Sequence, residues 1–274
     1  MNLAEARSIL GQVRDPSPTG QWGVDVGTAV QRALAELYLL NPYDDVDGQI
    51  GARTRAAWAL FKEATSQADP DLIDAGSAAK LLRALDNPVE LIGKPIVDLQ
   101  PDFEFRRNKA KTNRDKSVAA IIAASRARQL SNAQIAYVLA TAEHESDSFK
   151  TLEEYSSGAQ YEGRADLGNT KPGDGARFKG RGYVQLTGRL NYTRYSEIAG
   201  LQLATLPIIV MNWPTLSVFI IVDGMLRGVY TGRRLADFVN STKRDFYNAR
   251  QVINGHDRAE KIADQASDWL RQLI

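Results

Sequence analysis

Between Tyr137 and Tyr192 the chain reads YVLATAEHESDSFKTLEEYSSGAQYEGRADLGNTKPGDGARFKGRGYVQLTGRLNY. Glu145, Glu153, Glu154 and Glu162 stand here among tyrosines and turn-forming residues, and the segment closes on a loop rich in Gly and Arg. Two carboxyl groups beside a polar, Tyr-lined groove are what hydrolysis of a sugar–sugar bond requires. One protonates the leaving oxygen, and the other activates water or attacks the sugar.

The elements around these residues follow from periodicity. Ile135, Val138, Leu139 and Ala142 recur at positions 0, 3, 4 and 7, one stripe of a helix. Ser131, with Gln134 three residues on, reads as a capping box that starts this helix. Continuing the period places Glu145 on the apolar stripe, with Glu143 and Asp147 off it and facing water. Partial burial would disfavour the charge on Glu145 and raise its pKa, as a general acid at neutral pH requires. The alternative is an exposed carboxylate at a helix end. A helix near Arg114–Arg128 precedes it, and Leu152 to Asp174 is an irregular, Gly-rich stretch of the kind that carries function. After Tyr192 a helix runs toward Ile198. Residues 203–230 are strongly apolar and read as a buried core helix, with Trp213-Pro214 as a helix start. Val252-Ile253-Asn254-Gly255 leads into a charged C-terminal helix.

The string His144-Glu145-Ser146, then Glu153-Glu154-Tyr155, then FKGRGYVQLTGRLNY from Phe178 resembles glycoside hydrolase family 19 over roughly residues 110–270. These are chitinase-like enzymes with a bacteriophage endolysin branch. The resemblance implies Glu145 as general acid and Glu154 as the base that orients water, with Glu153 the competitor for that role. The two carboxyls of an inverting enzyme stand about 6.5–9.5 Å apart. The resemblance further implies Thr187 as a hydroxyl holding the attacking water, where plant members commonly have Ser. It implies Gln185 and Asn191 as sugar-binding amides, Asn254 as a cleft residue, and Tyr183 and Tyr192 as stacking or packing aromatics. Arg181 and Arg189 would bind substrate carboxylates or pair with acids such as Asp166 and Asp174.

The first part of the chain carries a second resemblance. Val30, Leu34 and Leu37 space as one helical face, Asn41-Pro42 stops that helix, and Val46-Asp47-Gly48-Gln49-Ile50-Gly51 is a tight turn. Thr54 would cap a second helix carrying Ala57, Trp58 and Phe61. This order is similar to the small three-helix peptidoglycan-binding domain, with Lys62 where that family usually has Gln. The alternative is a plain helical hairpin with Trp58 in its core. A helical pattern at Ala78–Leu85 ends at Asn87-Pro88.

Composition bounds these readings. The 274 residues fit one large or two modest domains. Residues 1–75 hold 6 basic and 11 acidic side chains, the remainder 28 and 22. A basic second part suits a polymer bearing carboxylates such as peptidoglycan, or is an ordinary solvated surface. Without Cys, thiolate nucleophiles, disulfides and Cys-type zinc sites are excluded. His144 and His256 are the only histidines and no H-E-x-x-H occurs, so neither metal nor other cofactor is expected. No basic run with aromatic interleaving points to nucleic acid. The N-terminus lacks a signal-peptide pattern, and the most apolar window, Leu216 to Val222, is too short to insert in a membrane.

The expectation is therefore a mainly α protein in three parts. Residues 1–75 form a peptidoglycan-binding domain, 76–108 a linker, and 109–274 a lysozyme-like or chitinase-like catalytic domain. The implied function is that of a monomeric endolysin, held in the host cytoplasm until release through a holin. It would hydrolyse β-1,4 bonds between N-acetylmuramic acid and N-acetylglucosamine in peptidoglycan glycan strands. A chitinase of the same fold, a lytic transglycosylase and a non-catalytic wall-binding protein are the alternatives.

Overall fold

The computed structural model describes residues 1–95 and 110–274, with side chains from residue 114 onward in the second stretch. The chain is mainly helical, with one two-stranded antiparallel ladder among the described residues. It divides into two compact units, Met1–Asp98 with Thr193–Asn212, and Leu99–Tyr192 with Trp213–Ile274.

In the first unit, α1 (Leu3–Leu10) packs against α2 (Val24–Glu36) and α4 (Ala75–Asp86), with α3 (Ala52–Ala64) against α2. The ladder pairs β1 (Ser17–Pro18) with β2 (Leu72–Ile73). Val30, Leu34 and Leu37 are buried, as their spacing predicts. The helix they lie on ends earlier than Asn41-Pro42: Leu37 is its C-cap, and Tyr38 at φ 59° turns the chain away. Thr54 does not cap α3. Gly51 holds that position, and the buried Thr54 hydroxyl instead accepts a hydrogen bond from Gln31 Nε2. Gln31 also accepts from the backbone of Asp47 and Gly48 and donates to Gln49 O. One buried amide thus organises the whole turn from Val46 to Gly51. Trp58 is fully buried, stacked on Phe61 with ring centroids 5.3 Å apart. Lys62 is buried beside them and donates to Leu72 O at 3.0 Å, and burial pulls its pKa down.

The expected boundaries move. Residues 76–92 are not linker. α4, capped by Asp74 and Ser77, buries Ala78 and Leu81 in the first unit, and Pro88 opens another helix, α5 (Pro88–Ile92). Residues 193–212, expected in the catalytic domain, belong to the first unit as well. Gln202 N donates to Ile92 O at 2.9 Å, and Gly93 bridges Leu201. A Cβ on Gly93, at φ +88°, would sit 2.5 Å from Gly200 O, so this crossing admits only glycine. From residue 96 to its end at 108 the expected linker lies outside the described residues.

The second unit is arranged around one helix. Its own elements are α6 (Ala110–Ala127), α7 (Asn132–Glu145), α8 (Asp174–Arg177), the start of α9 (Arg189–Ala199), α11 (Pro214–Arg227) and α12 (Ala259–Leu273). The short α10 (Ile209–Asn212) belongs to the first unit, so Trp213-Pro214 starts a helix but splits the expected apolar core in two. Ser131 and Gln134 form the expected capping box on α7. Its flanks are filled by α12, α6 and α11. Every residue from Ile135 to Ala142 is completely buried, not only the stripe at 135, 138, 139 and 142. A helix apolar all round is a central helix. Glu143 consequently does not face water alone: it accepts from Trp269 Nε1 at 2.9 Å.

Leu139→Ala is expected to lower the unfolding free energy by about 2–5 kcal/mol, because the surrounding helices cannot close the cavity. Removing the cap with Ser131→Ala should cost about 1 kcal/mol. Urea titrations followed by circular dichroism check both; equal losses would mean that α7 is not the packing centre.

Candidate active site

α7 ends at Glu145 for a local reason. Ser146 Oγ donates to Ala142 O at 2.5 Å and accepts from Phe149 N at 3.1 Å. Asp147, Ser148 and Phe149 then take φ values of 47°, 59° and 65°. Each L-residue in this left-handed region costs about 1–2 kcal/mol. The buried Phe149 ring and the Ser148 N–H to Glu143 O bond, 2.7 Å, offset that cost. Glu145 is thereby fixed in the last turn, at the negative end of the helix dipole, a poor place for a carboxylate. Arg250, 3% exposed, answers it: its Nη1 donates to Glu145 Oε1 at 2.7 Å, while its Nε donates to Asp257 O. The sequence expectation of a carboxyl governed by burial alone is replaced by an ion pair whose arginine is buried and whose carboxylate is part-exposed. His144, half-buried next to it, has its pKa lowered by desolvation, with the Glu145 charge opposing.

A cavity of about 360 Å³ opens on this pair. Five of the residues singled out from sequence line it: Glu145, Gln185, Thr187, Asn191 and Asn254. Its volume falls within the range of small-molecule sites. The three central ones are held by their own segment. Gln185, at φ 51°, donates to Gly182 O; Thr187 Oγ1 donates to Gln185 O at 2.8 Å; Asn191 Nδ2 donates to Thr187 O at 2.9 Å. Each amide uses one donor on the backbone, which fixes its plane, and keeps further donor and acceptor capacity of the kind that suits sugar hydroxyls and N-acetyl groups.

The Glu153-Glu154 pair divides cleanly. Glu153 faces cations, 3.3 Å from both Arg181 Nε and Lys179 Nζ. Glu154 points the other way. Its Oε2 accepts from the Tyr161 hydroxyl at 2.9 Å, and Tyr161 lines the cavity. Its Oε1 is buried with no hydrogen-bond partner among the described residues. Backbone bonds from Glu154 N to Gly180 O and from Gly182 N to Leu152 O clamp this segment to the Gly-Arg-Gly loop. A Cβ on Gly180 would lie 2.7 Å from Gln185 Oε1 and 3.3 Å from Glu154 Oε2, so glycine there lets Gln185 and Glu154 close on the loop.

Two expected substrate contacts lie elsewhere. Arg181 is 6% exposed, and its guanidinium is taken by Glu153, Arg177 O and the Tyr192 hydroxyl. Tyr183 is 2% exposed, with its hydroxyl 2.7 Å from Ser117 Oγ. Neither lines the cavity, and Tyr192 is likewise a packing residue against Phe178. Of the two expected arginine pairings, Arg189 does bind the buried Asp174, whose pKa it holds down, whereas Asp166 binds Arg164. Arg250, Tyr161 and Arg164 are cavity residues that sequence reasoning passed over. The signal for Arg250 was present: it lies one helical turn before Asn254, and Asn254 N donates to its carbonyl.

No protein-family model matches the sequence. The cavity has one carboxylate, Glu145, held by an arginine, with amides and a hydroxyl on its wall; Glu154 is not among its lining residues and meets it through Tyr161.

The half-buried imidazole gives a pH dependence with a definite sign. Unfolded His144 titrates near 6.5, while in the folded chain burial holds its pKa lower. As pH falls through about 6.5 the unfolded chain takes up a proton that the folded chain refuses, so stability declines until the folded pKa is passed. His144→Gln should flatten the pH dependence of the urea midpoint between about pH 7 and 5. An unchanged slope would show that another group carries it.

Proposed function

We propose that this chain is a glycosidase of the family 19 type that hydrolyses β-1,4 bonds of bacterial peptidoglycan, with a lysozyme-like second unit. The single observation that carries the reading is the inequality of the two carboxylates. Glu145 lines the cavity on a rigid helix end, and Glu154 presents a buried, unbonded Oε1 beside a cavity-lining tyrosine. An unpaired buried carboxylate oxygen is costly unless water reaches it, and a base that orients the attacking water needs such an atom.

In the proposed single displacement, Glu145 protonates the glycosidic oxygen. Arg250 fixes its position and stabilises the Glu145 carboxylate left after proton transfer. Glu154 accepts a proton from a water on the opposite face of the sugar, and that water attacks the anomeric carbon. Thr187 contributes a hydroxyl to the water, and Gln185 and Asn191 bind the ring substituents. Asn254 closes the same cavity. Glu153, already facing Lys179 and Arg181, is the structural member of its pair. The first unit, with its buried Gln31-centred turn, would hold the enzyme on its polymer and raise its local concentration there.

Glu145→Gln and Glu154→Gln should each lower release of new reducing ends from purified sacculi by about 10²–10⁴-fold. Borohydride reduction and mass spectrometry of the products identify the bond. Reduced muramic ends support the proposal, and reduced glucosamine ends move the cut by one sugar. Anhydro ends, with Glu154→Gln active, replace hydrolysis by transglycosylation. Faster turnover of chitin than of sacculi makes the chain a chitinase. Binding without new ends makes it a wall-binding protein.

A further inference from the structure

Three side chains that line the cavity carry charge: Glu145, Arg250 and Arg164. Each arginine is ion-paired, Arg250 with Glu145 and Arg164 with Asp166, which accepts from both its Nε and its Nη2. Arg250 is consumed by Glu145 and is itself buried, so it cannot turn to a ligand without stranding a charge. Arg164 differs in each respect. Its partner, Asp166, is two residues away, and the two side chains are 50% and 61% exposed. Such a local, solvated pair, screened by water, exchanges readily for another carboxylate. The backbone beneath Arg164 is well fixed. Asn169, fully buried, donates to Tyr161 O and accepts from Arg189 N, and Asn169 N donates to Arg164 O. The loop therefore presents a planar double donor on the cavity wall, three residues from Tyr161, the partner of Glu154.

The charge balance of the second unit points the same way. With the observed boundaries it holds 24 basic and 18 acidic side chains, against 10 and 15 in the first. A cavity for an uncharged polymer needs no exchangeable cation on its wall. We infer that Arg164 binds a carboxylate of the substrate, a lactyl or stem-peptide carboxylate on the glycan strand, and so selects acidic over neutral polymers of N-acetylated sugars. Asp166 occupies the guanidinium when no substrate is bound and competes with that carboxylate.

This assignment rests on the glycosidase reading for its catalytic readout but not for its binding readout. The test compares soluble peptidoglycan glycan strands with the same strands amidated by carbodiimide, which keeps the sugars and removes the carboxylates. The parent should prefer native strands by roughly tenfold in KM, the size expected of one charge-assisted hydrogen bond. In Arg164→Gln that preference should collapse toward unity. Arg164→Lys should restore part of it, having the charge but not the fork. Asp166→Asn should widen it. A preference that survives in Arg164→Gln, or a parent that makes no distinction, overturns the inference. Should the parent release no reducing ends from either strand, the glycosidase reading falls, and the same comparison is made by isothermal calorimetry on uncut strands. There, weaker binding of Arg164→Gln to native strands alone upholds the carboxylate site, and equal binding to both strands removes it.

Discussion

A carboxylate in the last turn of a buried helix is held against the helix dipole and against desolvation together, and the Arg250–Glu145 pair is what makes that arrangement tolerable. Its 2.7 Å contact ties the end of α7 to the segment before α12, and Arg250 reaches on to Asp257 O. Arg250 is buried enough that losing Glu145 would strand its charge. The pair thus couples the packing centre of the second unit to the wall of its cavity.

The neighbouring polar groups follow from the same need to satisfy what is buried. Ser146 and the left-handed run Asp147–Phe149 stop the helix at the residue that must be exposed to the cavity. The Gly-Arg-Gly loop is clamped by Leu152 and Glu154 from one side, and through Arg181 by Glu153 from the other. Strain and ion pairing are concentrated within a few residues of the two candidate carboxylates. That is where preorganised sites store them. The first unit uses the same device in neutral form, with Gln31 serving the turn that α2 and α3 share.

Much of the candidate site was legible in the linear sequence. Glu145, Gln185, Thr187, Asn191 and Asn254 were named from motif and spacing, and all five line one cavity. Tyr183 and Arg181 were named by the same motif but are buried. A motif records that a residue is needed, not whether it faces a ligand or holds the loop that does. Arg181 supports the loop by neutralising Glu153, and Tyr183 by reaching Ser117. Periodicity identified α7 and its cap but misjudged its surroundings. The stripe it found is real, yet Ala136, Ala140 and Thr141 are buried equally, because small side chains let neighbouring helices close on every flank.

Local signals, then, determined what local physics controls: the helical class, the cap at Ser131, the helix start at Trp213-Pro214, and the Gly-rich loop beside the acids. Only the tertiary structure decided what depends on distant partners. It assigned Arg250 to Glu145 across 105 residues of sequence, gave Glu153 and Glu154 different partners, and placed residues 76–92 and 193–212 in the first unit. The physical reason is common to all of these. Ion pairs, orphaned oxygens and domain boundaries are set by which surfaces lose water together, and adjacency in sequence does not reveal that.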